Sequence, residues 1–219
     1  MAGSNFDTVV IGAGSVGTPL AMSLAEKGLS VLCLDSGASA GQGNNKCAIG
    51  GARATHSEPA KVSLGLRSLE VFRTWQELQG DDIGWYQGGY TYVAYDADTM
   101  DLFRGNVPKQ QEAGLNIRII DAEEMMGLVP GINPEGLLGG TWSPEDGSAS
   151  PMTSCYAFHR RAVELGAEFR FRETVTGMEL SGSGIVSVRT DRGTYGCGSV
   201  VNCAGSFAAE VGAMAGVEL

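Results

Sequence analysis

Thr8-Val9-Val10-Ile11-Gly12-Ala13-Gly14-Ser15-Val16-Gly17 is the stretch that decides the fold. Its first four residues are β-branched and read as a short buried strand, and the next six spell G-x-G-x-x-G. Ser15 to Lys27 reads as a helix with apolar Val16, Leu20 and Leu24, stopped by Gly28. Leu29 to Leu34 is a second apolar strand ending at Asp35, 21 residues beyond Gly14. An acid at an offset of about 20 is the one expected of a dinucleotide-binding β-α-β unit, whose crossover is right-handed. Each residue type has a physical reason. Gly12 permits the tight strand-to-helix turn, Gly14 lets the backbone approach a pyrophosphate, and Gly17 lets the helix pack close to the strand. The helix start, with Ser15 and Val16, offers free N–H groups and a partial positive charge to phosphates. Asp35 can accept both ribose hydroxyls of an adenosine, and its charge repels a 2′-phosphate, which disfavours NADP. NAD and FAD both remain open on these residues.

The 219 residues are 43% hydrophobic, 18% charged and 7% aromatic, enough for one or two domains with a real core and against disorder. The 33 glycines follow no three-residue period, so collagen is excluded. Net charge is −10, and the cations form no basic stripe beyond His159-Arg160-Arg161, which argues against a nucleic-acid partner. No apolar window of about 18 residues occurs, so no integral membrane segment is expected. Met1 to Asp7 is short and polar, unlike a secretory leader. The five cysteines are odd in number and lack a C-x-x-C, against a zinc ribbon or thioredoxin motif. Cys33 and Cys203 read as buried small hydrophobes, and a reducing, cytoplasmic compartment fits. His56 is expected in an exposed loop with Arg53, and His159 on a helix surface; neither has a metal-ligand spacing, and no metal is expected. Gly84 to Tyr90 is an aromatic segment expected to pack in the core. No Ser-His-Asp set stands out.

Ser36 to Glu58 is expected to be a long loop without an element of its own. Pro59 to Gln79 reads as a helix with a broad apolar face from Leu64, Leu66, Leu69, Phe72, Trp75 and Leu78. Strands follow at Gly89–Tyr95, Asn116–Ile120 and Leu137–Trp142, with a surface helix over Thr99–Ala113 and a short acid-capped helix from Asp121. Ser150-Pro151 opens a helix to about Leu165, stopped by Gly166. Strands are expected at Glu168–Phe171, Thr174–Leu180, Ile185–Thr190 and Val200–Asn202, with a hairpin turn at Arg192-Gly193 and a last helix over Phe207–Ala215. The fold class is α/β, with alternating units at both ends and a more antiparallel insert between them.

The loop Ser36-Gly37-Ala38-Ser39-Ala40-Gly41-Gln42-Gly43-Asn44-Asn45-Lys46-Cys47-Ala48-Ile49-Gly50-Gly51 resembles that of the D-amino-acid oxidase superfamily of flavoproteins, which holds glycine oxidase, sarcosine oxidase and dimethylglycine dehydrogenase. Pro130-Gly131 with Gly139, Asp146-Gly147 and Pro151, Thr174-Val175-Thr176-Gly177, and Val200-Val201-Asn202-Cys203-Ala204-Gly205 resemble further segments of that family, and Lys46-Cys47 departs from its commoner pattern. The resemblance implies a Rossmann-like FAD-binding domain from 1–84 and 149–219, with a partial antiparallel substrate domain at 85–148. It implies FAD as cofactor, with Ser36, Gly43, Asn44 and Asn45 on the phosphates or ribityl chain and Gly50-Gly51 near the flavin ring. Val175 would grip the adenine edge, and Ala204-Gly205 would lie beside the dinucleotide. The implied reaction moves a hydride from the nitrogen-bearing carbon of a small amine or amino acid to the flavin, giving an imine that water hydrolyses. It implies also that the chain stops inside the family's fold, so a C-terminal remainder or a partner subunit would complete it. A non-catalytic dinucleotide-binding subunit is the alternative, and no catalytic residue is assigned.

Overall fold

The computed structural model describes residues 5–182 and 184–219; residues 1–4 of the N-terminal segment read above lie outside them. The chain divides into two compact units, one running up to Ile49 and resuming at Pro151, the other being Gly50–Ser150. The helix Pro59–Gln79, which the boundary at 84/85 groups with the cofactor part, falls in the second compact unit.

The first unit is built on β1 (Asn5–Ile11), α1 (Gly17–Glu26), β2 (Val31–Asp35), α5 (Pro151–Glu164), β8 (Glu168–Phe171), β9 (Val175–Ser181), β10 (Gly184–Thr190), β11 (Thr194–Asn202) and α6 (Ala208–Ala213). The strands form one six-stranded sheet in the order β8-β2-β1-β11-β10-β9. The first four are parallel and the last two antiparallel, so the unit is mixed α/β. β1 and β2 are apolar without alternation because a parallel sheet is covered on both faces. Val9, Leu32 and Leu34 lose all solvent contact in a core shared with Ile11, Val175, Met178 and Val188. Each such side chain contributes about 1.5–3 kcal/mol over leaving it exposed.

The helix after the glycine turn buries a different face from the one expected. Gly17, Thr18, Ala21, Met22 and Ala25 turn inward, while Val16 is exposed. Small residues let α1 lie close to the buried side of α5, where the Thr18 hydroxyl meets the Cys155 thiol at 3.5 Å. β11 is longer than its expected Val200–Asn202 core because it begins at the Arg192-Gly193 hairpin. The expected last helix is a 3-10 turn, Gly205–Phe207, followed by α6. His159 is half-buried rather than on the surface, edge-on to Phe169 at 4.4 Å and to Phe171 at 5.4 Å. Burial holds its imidazolium pKa below the ordinary value.

The second unit contains β3 (Gly51–Ala52), α2 (Pro59–Gln79), β4 (Tyr90–Ala94), α3 (Ala97–Glu112), β5 (Arg118–Ile120), α4 (Ala122–Leu128), β6 (Gly139–Ser143) and β7 (Gly147–Ser148). β4-β6-β5 is an antiparallel sheet, and β3 pairs with β7. α4 opens at Asp121 as expected, its carboxylate accepting the Glu124 N–H at 2.9 Å, whereas α3 starts at Ala97 rather than Thr99 because Asp96 caps it by accepting the Thr99 N–H at 2.7 Å. Three further expectations fail. The 36–58 loop carries a 3-10 turn, Asn44–Cys47, as well as β3. Only Val62, Leu69 and Trp75 of α2 are buried, and Leu64 and Leu78 stay exposed. In the aromatic segment Trp85 stacks on Phe72 at 5.6 Å, but Tyr86 faces solvent.

Candidate functional site

A cavity of about 570 Å³ lies at the carboxyl ends of the parallel strands of the first unit. That is where an open α/β sheet places its ligands. Its walls include Gly12, Gly14, Ser15, Val16, Asp35, Ser36, Gly43, Asn44, Asn45, Val175, Ala204 and Gly205. These are twelve of the fifteen sequence-derived candidates. Gly17 lies beneath the turn instead, where a Cβ would collide with the Gly12 carbonyl. Gly50 and Gly51 belong to the second compact unit, where Gly51 pairs with Ser148.

The turn is held from behind by Ala13. This buried residue gives its N–H to the Asp35 carboxylate at 2.7 Å and takes the Gly41 N–H on its carbonyl at 2.9 Å. Gly12 has φ +105°, and a Cβ there would strike the Cys203 carbonyl at the end of β11. Gly14 differs, since a Cβ on it would meet nothing within 4 Å. Among the described residues, the N–H groups of Gly14, Ser15 and Val16 have no backbone or side-chain acceptor, and no side chain caps α1 at Val16. The described lining has no Lys or Arg. An anion here would therefore be met by backbone N–H groups and the helix dipole. The open side of Gly14, the unpaired donors and the volume fit the diphosphate and nucleoside of a dinucleotide.

Asp35 does more than the sequence indicates. Besides Ala13, it accepts the Gly37 N–H at 2.6 Å, and its own carbonyl takes the Glu173 N–H at 3.1 Å. Each carboxylate oxygen keeps a lone pair for a hydroxyl. Glu173 was not singled out in the sequence. It is buried at the cavity wall, and its Oε1 accepts the hydroxyls of Tyr195 at 2.6 Å and Thr190 at 2.7 Å. Burial and this carboxylate push the Tyr195 phenol above its ordinary pKa. The signal for Glu173 was its place two residues before Val175, but its tertiary partners sit on β10 and β11. Phe207, Val211 and Met214 supply an apolar wall that the sequence reading also missed. Burial pushes the Cys33 thiol well up and the Cys155 thiol up, so neither is poised as a thiolate.

The second unit carries a cation site of its own. The Arg53 guanidinium lies 5.3 Å from the Tyr90 ring and 5.8 Å from the Tyr92 ring. Its Nε is buried without a hydrogen-bond partner, and it joins no ion pair among the described residues. Arg53 lines a cavity of about 260 Å³ with His56, Tyr92, Asn106, Gln110 and Thr141. The Thr141 hydroxyl is buried and also unpartnered. His56 is thus half-buried beside a cavity rather than in an exposed loop, with Gln110 donating to its carbonyl at 2.9 Å. Among the described residues no group of three or more acidic, His or Cys side chains could hold a metal, and no helix is long and apolar enough to cross a membrane.

Fold and cavity together define a dinucleotide-binding α/β protein with an antiparallel second unit. Residues 7–219 match the FAD dependent oxidoreductase (DAO) family, and the chain belongs to that family, whose cofactor is FAD. It is 27% identical over 212 residues to dimethylglycine dehydrogenase, mitochondrial, of Rattus norvegicus, covering 97% of this chain and 25% of that protein. It is 29% identical over 211 residues to monomeric sarcosine oxidase of Streptomyces avermitilis, covering 94% of this chain and 53% of that one. Among solved structures, L-proline dehydrogenase from P. horikoshii superposes with a TM-score of 0.92 at 30% identity, over 98% of this chain and 57% of that one. The chain thus spans about a quarter to a half of the curated relatives it matches.

Proposed function

We propose that this chain is the FAD-binding part of an enzyme that oxidises an amine or amino acid at its nitrogen-bearing carbon. The observation that supports it best is the cavity where Gly14, Ser15 and Val16 turn unpaired N–H groups toward the open side of the glycine turn. When bound, FAD supplies the hydride acceptor. The N–H groups of the turn hold the pyrophosphate, Asp35 the adenosine ribose, and the Val175 backbone the adenine. Ser36, Gly43, Asn44, Asn45, Gly50 and Gly51 serve the remaining phosphate, ribityl and ring contacts, with Ala204 and Gly205 alongside. In functional terms residues 1–84 and 149–219 form the cofactor part and 85–148 belong to the substrate part.

Sarcosine, dimethylglycine and proline, which three relatives are named for, each carry a carboxylate beside the amine. The Arg53 guanidinium on its tyrosine shelf, outside any ion pair among the described residues, supports a carboxylate-bearing substrate for this chain too. Since the chain spans part of its relatives, further polypeptide or a partner subunit belongs to the proposed catalytic unit. The five cysteines are all free, which supports a reducing compartment such as the cytoplasm.

The test is an absorbance spectrum of the purified full-length protein, together with any subunit that copurifies, after incubation with FAD, then anaerobic addition of sarcosine, proline and their carboxylate-free amine analogues. Retained flavin bands that bleach with an amino acid are expected. A protein that retains no flavin overturns the cofactor assignment. Retained flavin that no amine bleaches overturns the oxidase reading and leaves a dinucleotide-binding subunit.

A further inference from the structure

We infer that Asp146 is a positioning residue for Arg53, fixing both the segment after β3 that carries the guanidinium and the start of the strand that carries its aromatic shelf. The inference rests on the proposed role of Arg53 as carboxylate receptor.

The geometry is local to the second unit. β3 and β7 pair with Gly51 opposite Ser148 and Ala52 opposite Gly147, and Arg53 and Asp146 are the residues that adjoin that pair in each segment. Asp146 has no solvent exposure. Its Oδ1 accepts the Ala54 N–H at 2.9 Å and its Oδ2 the Thr55 hydroxyl at 2.6 Å, so it clamps the two residues that follow Arg53. Its main-chain carbonyl accepts the Gly89 N–H at 2.8 Å, at the threshold of the strand bearing Tyr90 and Tyr92. One residue therefore sets the spacing between the cation and the rings below it.

A buried carboxylate held only by neutral donors is costly, because no ion pair offsets its desolvation. Among the described residues Asp146 has no such pair. Removing the acceptor frees the 53–55 segment to move. The guanidinium then loses its fixed height over Tyr90 and Tyr92, and a carboxylate ligand must reorganise it on binding.

The experiment uses the FAD-loaded protein and acetate as probe, with acetamide as its uncharged isostere, both followed by calorimetry and by the thermal shift each ligand gives. Arg53→Ala is expected to weaken acetate at least about tenfold and leave acetamide unchanged. Asp146→Asn is expected to weaken acetate severalfold with acetamide and FAD affinity unchanged, and to add nothing in the Arg53→Ala background. Additive losses in the double variant, or full acetate affinity in Asp146→Asn, overturn the positioning role. If Arg53→Ala itself leaves acetate unchanged, the receptor reading falls instead. Should Asp146→Asn fail to fold, Thr55→Val and Thr55→Ser decide: valine is expected to weaken acetate and serine to restore it. Equal affinity in both overturns the inference.

Discussion

The Asp35 carboxylate accepts the Ala13 N–H at 2.7 Å, joining the end of β2 to the centre of the glycine turn. With the Gly37 N–H on its other oxygen, it shapes the cradle independently of any ribose. Asp35→Ala is expected to have two effects. It strands two backbone donors, at about 1–3 kcal/mol for each one left buried and unmade. It also weakens FAD by at least about tenfold, corresponding to about 1.4 kcal/mol. FAD titration by fluorescence, with thermal unfolding of the apoprotein, separates the two. Unchanged FAD affinity would remove Asp35 from the ribose.

Glycine substitutions in the turn divide by what a methyl group would meet. At Gly12 and Gly17 it would strike the carbonyls of Cys203 and Gly12, so Gly12→Ala and Gly17→Ala are expected to destabilise the apoprotein by several kcal/mol, as overpacking does when backbone must shift. At Gly14 it points into open space. Gly14→Ala should unfold within about 0.5–1 kcal/mol of the parent yet bind FAD far more weakly, since the methyl occupies the approach of the diphosphate. An alanine at 14 that binds FAD normally would refute the assignment of that face.

Glu173 takes the buried Tyr195 hydroxyl and the half-buried Thr190 hydroxyl on one oxygen. Glu173→Ala leaves the Tyr195 hydroxyl without its acceptor and is expected to cost about 1–3 kcal/mol, while the Thr190 hydroxyl keeps the Gly193 carbonyl at 3.2 Å. Glu173→Gln removes the charge while keeping an acceptor, so the Tyr195 phenol should titrate lower than in the parent, read by absorbance near 295 nm. The sign follows from linkage. A phenol whose folded pKa is raised contributes stability that is present below the unfolded value of about 10 and is lost as pH climbs through the folded value. The glutamine variant should lose that contribution at lower pH.

The β-α-β unit was legible because its signals are local: a β-branched run, glycines at fixed spacing and an acid at the next strand's end. The same locality exposed the acid-opened helix at Asp121 and the positive-φ helix stops at Gly28 and Gly166, but not the Asp96 cap, which starts α3 two residues before the expected Thr99. Most of what escaped depends on partners far away in sequence. α1 shows small residues to α5, a face that apolar Leu20 and Leu24 did not mark, while Val16 stands at the cavity mouth where its place in the glycine turn put it. The pair β3–β7 joins segments far apart in sequence, which hid β3, whereas β11 pairs in a local hairpin and its first half was hidden by glycines and polar residues that carry no apolar strand signal. Arg53 and Asp146 lie 93 positions apart, and Asp146 reaches that segment through the Ala54 N–H and the Thr55 hydroxyl. Glu173 was hidden for the same reason, since its hydroxyl donors arrive from two other strands.

His159 gives the fold a pH response of known sign. It lies edge-on against the stacked Phe169–Phe171 pair with its imidazolium disfavoured by burial alone. A depressed folded pKa means the unfolded chain binds the proton first as pH falls. The stability tied to neutral His159 is therefore complete above the unfolded value of about 6.5 and is lost as pH drops from there through the folded value. His159→Phe keeps an aromatic ring against Phe169 and removes the titration. Denaturant midpoints measured between pH 8 and pH 5 should fall less steeply for that variant below about pH 6.5 than for the parent. Parallel curves for the two proteins would show that the imidazole is as easily protonated in the fold as in water, and would place it outside the ring pair.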